Sequence, residues 1–89
     1  LVDRIQLSNI PNPFGSATEI RYFLPADGHV RLKVYNALGL EVSDVVDAAQ
    51  GRGLHFAYYQ PSPTARSGIY YCVLHTEYGT KSIHMILTR

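Results

Sequence analysis

The chain has 89 residues and a formal net charge of +1, with 8 Lys plus Arg against 7 Asp plus Glu. A chain of this size hides only roughly 60–65% of its unfolded surface, so it makes one domain with a small core and no room for a second. The cations stand singly from Arg4 to Arg89, which gives nucleic acid no clustered basic face, and no apolar run approaches the roughly 20 residues of a membrane span.

Taken in chain order, the sequence reads as strands separated by turn chemistry. A short strand is expected in "DRIQLS", residues 3–8, followed by Pro11, Asn12, Pro13 and Phe14. Proline donates nothing to a ladder and fixes φ, so this segment is expected to end the first strand and carry the chain stiffly from one sheet to the other. Phe14 is expected to plug one end of the core. "TEIRYFL" then alternates Ile20, Tyr22 and Leu24 against Glu19, Arg21 and Phe23, and "HVRLKVYN" alternates Val30, Leu32 and Val34 against His29, Arg31, Lys33 and Tyr35. Each has one dry face and one wet face. Pro25-Ala26-Asp27-Gly28 between them has turn residues, so the two strands read as a hairpin.

The "ALG" turn at 37–39 leads to a strand in "LEVSDVVD", and "AAQGRG" reads as a loop before "LHFAYY". "QPSPTARSG" makes a longer loop before "GIYYCVLHT", and "EYGT" closes a last hairpin into "KSIHMILTR". In that last strand Ile83, Met85 and Leu87 read as the core face, with Lys81, His84 and Arg89 on the wet side. No window has capped helical periodicity, "VVDAAQ" being the nearest approach. Seven strands at this spacing predict an all-β, immunoglobulin-like antiparallel sandwich spanning residues 1–89 as one domain. The lone cysteine, Cys72, shares the inward row of Tyr70 and Leu74 and reads as a buried, inert thiol.

Little here predicts chemistry. The seven acids fall in loops or on wet faces, with no pair set across a cleft as acid and base. No serine sits in a G-x-S-x-G elbow. His29, His55, His75 and His84 lack local ligand spacing, and glycine marks turns and not phosphate cradles. No catalytic residue, metal or cofactor is therefore assigned. Tyrosine is the unusual component, with seven residues. Rings on an open sheet face stack on sugars in many carbohydrate-binding domains, and Tyr35, Tyr59 and Tyr71 are the ones that alternation sends outward. The plainer reading gives half of these rings to the core and to sheet rims.

"IPNPFGSATEIRYFLPADGHVRLKVYNALGLEV", followed by "SGIYYCVLHTEYGTKSIHMILTR", resembles the C-terminal sorting domain of the type IX (Por) secretion system, type A. That family's fold is similar to the immunoglobulin-like domain of the flagellar hook-capping protein. The resemblance is carried by Pro11 to Phe14, then Leu24, Pro25, Gly28 and Val30, then Val34, Tyr35, Asn36, Gly39 and Val42, then Ser67, Gly68 and Tyr70, and finally Lys81, Met85 and Arg89. The individual motifs are short, but they occur in order over nearly the whole chain. The chain departs from the family's pattern at Gly15-Ser16, at Leu40, and in having no tryptophan before the longer loop.

What the resemblance implies is a targeting module of a larger exported protein from a Bacteroidetes-like bacterium. Such a domain follows a cargo domain, passes through the periplasm, and meets the outer-membrane translocon and a sortase-like component that attaches the cargo to the surface. A chain that starts at Leu1, with no basic-then-apolar leader, fits a piece cut from such a protein. The residues expected to be read are Lys81, His84 and Arg89, together with Gly68 and Tyr70 of the Ser-Gly-x-Tyr motif, Gly68 permitting close approach. Strand addition along an exposed last strand is the expected mode. The competing reading is a carbohydrate-binding or spacer module of a secreted enzyme.

Overall fold

Alternating rows of the kind read above can be buried only by facing a second set, and the computed structural model, which describes residues 4–89, does this with seven strands and no helix. They are β1 (Gln6–Ile10), β2 (Thr18–Leu24), β3 (Gly28–Tyr35), β4 (Glu41–Gln50), β5 (Gly53–Tyr59), β6 (Gly68–Thr76) and β7 (Gly79–Leu87). Asp3, the expected start of the first strand, lies outside the described residues. One antiparallel sheet has the order β1-β2-β5 and the other β4-β3-β6-β7. This is an immunoglobulin-like antiparallel β-sandwich.

The core lies between the sheets. Ile20, Tyr22 and Leu24 from β2 meet Val30, Leu32 and Val34 from β3 and Cys72, Leu74, Met85 and Leu87 from β6 and β7, all of them buried. Side chains of this kind contribute roughly 1.5–3 kcal/mol each on full burial, which is how so short a chain holds together without a staple. The Tyr22 hydroxyl satisfies itself on Gln50 Oε1 at 2.6 Å, and no buried side-chain polar atom among the described residues lacks a partner. Burial pushes the Cys72 thiol up to about 12.

The structure corrects three sequence expectations. β2 and β3 are not a hairpin, since they belong to different sheets. Pro25 has no N–H to extend the ladder past Leu24, and Pro25-Ala26-Asp27 arches the chain across the core instead. Asp27 accepts the Arg52 N–H at 2.8 Å and the Ala26 carbonyl accepts the Tyr78 hydroxyl at 2.6 Å, so the arch is pinned to two other turns. Conversely, the proline-rich segment does not pass between sheets, because β1 and β2 pair with each other from Gln6↔Phe23 to Ile10↔Glu19. Ala48, Ala49 and Gln50, read as loop, continue β4, and "VVDAAQ" is strand throughout. Ladder pairing to His29 and Gly28 overrides the weak local preference of the alanines.

Candidate functional site

Pro11, Asn12, Pro13 and Phe14 leave β1 and lie along the outer edge of β7, although they belong in sequence to the other sheet. Both proline peptide bonds are cis. Asn12 presents its side-chain amide as if it were backbone: Oδ1 accepts the Ile86 N–H at 2.9 Å and Nδ2 donates to the His84 carbonyl at 3.0 Å. Phe14 continues the line, its N–H donating to the Ile86 carbonyl and its carbonyl accepting the Thr88 N–H, both at 2.9 Å. The Phe14 ring is buried as expected and stands edge-on to Tyr59, with centroids 6.2 Å apart. Behind it, Thr18 Oγ1 donates to the Pro11 carbonyl at 2.9 Å, and Asn9 Nδ2 donates to Thr18 Oγ1 at 3.1 Å. The segment thus clamps the two sheets together at one pole. It also covers the C-terminal half of the β7 edge, so this edge is not open along its whole length for strand addition.

At the same pole the loop between β5 and β6 is folded onto the chain's last residue. Arg89 Nη1 donates to the carbonyls of Ser62, Pro63 and Ala65 at 2.8, 3.1 and 2.8 Å, and its backbone N–H donates to Ser67 Oγ at 2.8 Å. Inside the loop, Ser62 Oγ accepts the Thr64 N–H and the Ser62 carbonyl accepts the Ala65 N–H. Tyr70 buries its ring, and its hydroxyl donates to the Arg66 carbonyl at 2.8 Å. A tyrosine near the start of this strand, bonded to backbone a few residues upstream, is the tyrosine corner of immunoglobulin-like sandwiches. Gly68 has φ +150°, and a Cβ built there would meet nothing within 4 Å; glycine is needed for the backbone conformation and not for space.

Between this loop and the β3–β4 turn opens a cleft of about 410 Å³, a size that suits a small ligand or a peptide side chain. Asn36, Leu38, Val42, Arg66, Gly68 and Ile69 form much of its wall, and Arg66 is the one charged side chain among the described lining residues. Asn36 builds the turn: its Oδ1 accepts the Leu38 and Leu40 N–H groups at 2.9 and 3.1 Å. The turn holds Leu38 out at 82% exposure. Tyr59 closes the floor, its hydroxyl pKa raised mainly by burial and also by Tyr70 beside it.

The site residues read from sequence do not form one surface. Gly68, Tyr70 and Arg89 gather at the clamp pole with Pro11 to Phe14. Lys81 lies at the other end of β7, beside Arg4, Ile5, Pro25 and Tyr78, eight positions from Arg89 or roughly 25 Å along an extended strand. Alternation puts Lys81 and Arg89 in the inward row of Met85 and Leu87, past the ends of the core, and only His84 in the outward row. The His84 ring stands edge-on to Tyr71 at 5.0 Å, and Tyr71 is paired with Tyr35 on β3. Two of the three rings expected outward are therefore neighbours. The third, Tyr59, is buried at 5% exposure, while Tyr58 is the ring that points out.

Sequence reasoning gave Asn36 only as a motif residue, and it missed Arg66 and the carbonyls of Ser62, Pro63 and Ala65. A Ser-x-Thr turn and the shared parity of Leu87 and Arg89 were the available signals; backbone carbonyls converging on one guanidinium leave none. Among the described residues no group of His, Cys, Asp and Glu is arranged to hold a metal ion, and no helix is long and apolar enough to cross a membrane. Comparison with family models and with curated proteins finds no match for this chain.

Proposed function

We propose that this domain is a non-catalytic C-terminal sorting module, carrying a larger exported protein through the type IX secretion system to the cell surface. The observation that carries the reading is convergence. Asn12 and Phe14, Asn36, Ser67 with Gly68 and Tyr70, and Arg89 come from separate stretches of the motif series and gather at one pole, where Asn36, Ser67, Gly68 and Tyr70 line an open cleft. Scattered core residues would account for a fold, whereas polar motif residues gathered at one end are what a reading surface needs.

Arg4 and Ile5 sit with Lys81 at the pole opposite the clamp, so a cargo domain joined ahead of Arg4 would stand away from the surface offered to the translocon and the sortase-like component. The partial cover of the β7 edge directs recognition to the cleft, with Leu38, Arg66 and Ile69 as its exposed walls. Residues 1–89 fused behind a folded periplasmic reporter should bring that reporter to the surface of a type IX secreting bacterium. Retention of the fusion in the periplasm, with the domain folded, would overturn the proposal.

The neighbouring Tyr35, Tyr71 and His84 rings favour a second reading, a sugar platform. Tyr71 and His84 stand edge to face, however, which offers little flat ring surface to a pyranose. In affinity electrophoresis, soluble polysaccharides should not retard the domain. Retardation abolished by Tyr71→Ala would give the platform reading the advantage.

A further inference from the structure

Sheet edges invite other strands unless something blocks them, and three of the four edges here are blocked wholly or in part. β1 has only five residues and runs into Pro11. The β7 edge carries the Asn12–Phe14 clamp. β4 is interrupted by two register shifts and bears Glu41, Asp44 and Asp47, the last held below the usual carboxylate range by the His29 hydrogen bond, with Arg31 adding to the effect. The fourth edge, β5, has no Asp, Glu, Lys, Arg or proline and no bulge from Gly53 to Tyr59. Its outward row is Leu54, Phe56 and Tyr58, exposed at 60%, 56% and 74%. On its inner side the row is flanked by Glu19, Arg21 and Phe23 of β2, with the Arg21 guanidinium 5.7 Å over the Phe56 ring.

We propose that β5 pairs with β5 of a second copy, antiparallel about a two-fold axis through Phe56, so that two three-stranded sheets join into one. The row is self-complementary in that register: Phe56 meets Phe56, and Leu54 of each copy meets Tyr58 of the other, which is what an isologous contact requires. Both backbone edges gain the partners they lack, and the three apolar side chains of each copy leave water together. Those side chains present on the order of 400 Å² per copy, which places the total below the roughly 1,200 Å² of a stable complex. The association is therefore a weak, concentration-dependent dimer.

Sedimentation equilibrium of the 89-residue chain up to millimolar concentration should show the mass rising from 10.0 kDa towards twice that value. Phe56→Glu, whose carboxylate Arg21 can neutralise, should hold the protein monomeric without changing its melting temperature. Under mild oxidation Phe56→Cys should cross-link alone, while Leu54→Cys and Tyr58→Cys should cross-link only when mixed, because each is roughly 13 Å from its own copy in this register. The native Cys72 is buried and does not compete. A protein that stays monomeric throughout, association that Phe56→Glu leaves intact, growth past two copies, or self-cross-linking of Leu54→Cys matching that of Phe56→Cys would each overturn the proposal.

Discussion

Asn12 is a side chain acting as a strand. By holding both the Ile86 N–H and the His84 carbonyl it satisfies two edge groups that water would otherwise take, so Asn12→Ala should cost about 1–2 kcal/mol. Phe14→Ala, which empties a fully buried site between the sheets, should cost about 3–5 kcal/mol, a large share of what a domain this size has. Tyr70→Phe removes only the corner hydrogen bond to Arg66 and should cost about 1 kcal/mol; urea titration ranks all three. Burial raises the Cys72 thiol to about 12 and also raises Tyr22. A raised acid stays protonated in the fold while its unfolded form ionises, so this stability is present below about pH 9 and is lost as pH climbs towards 12. Melting temperature should fall above pH 9 in the native chain and fall less steeply in Cys72→Val, measured by thermal scans from pH 7 to 11.

Single strands were legible because their period is local. Ile20-Tyr22-Leu24 and Val30-Leu32-Val34 announce inward rows, and β6 was readable to the residue, since Gly68 and Thr76 bound an unbroken alternation. Pairing was less legible. An arch across the core and a hairpin within a sheet both need two amphipathic strands and a proline–glycine turn, so Pro25 to Gly28 fitted either. The error at Tyr59 has a related cause: in a "YY" pair alternation fixes that one ring is buried, and only the tertiary contact with Phe14 decides which. The part of the site built from carbonyls on Arg89 had no sequence signature beyond a basic residue near a serine-rich loop. Arg89→Gln should leave the sheets intact while residues 61–67 lose their anchor. Limited proteolysis should then cut within that loop several-fold faster, with a change in global stability of about 1 kcal/mol.

The described residues form a rod of 38 × 22 × 17 Å whose two poles differ in kind. One end holds Arg4, Lys81 and the arch at Pro25; the other holds the clamp, the tyrosine corner, the Arg89-anchored loop and the cleft. Such polarity suits a domain attached at one end and read at the other. The direct measurement is surface delivery of a reporter fusion carrying either of two exposed substitution sets that leave melting unchanged. The first alters the cleft wall by Leu38→Glu, Arg66→Glu and Ile69→Lys; the second alters the far pole by Lys81→Glu and Arg4→Glu. The expected result is that the cleft variant folds and stays in the periplasm while the far-pole variant reaches the surface like the unaltered fusion. Normal delivery of the folded cleft variant would contradict the claim that this pole is what the secretion machinery reads.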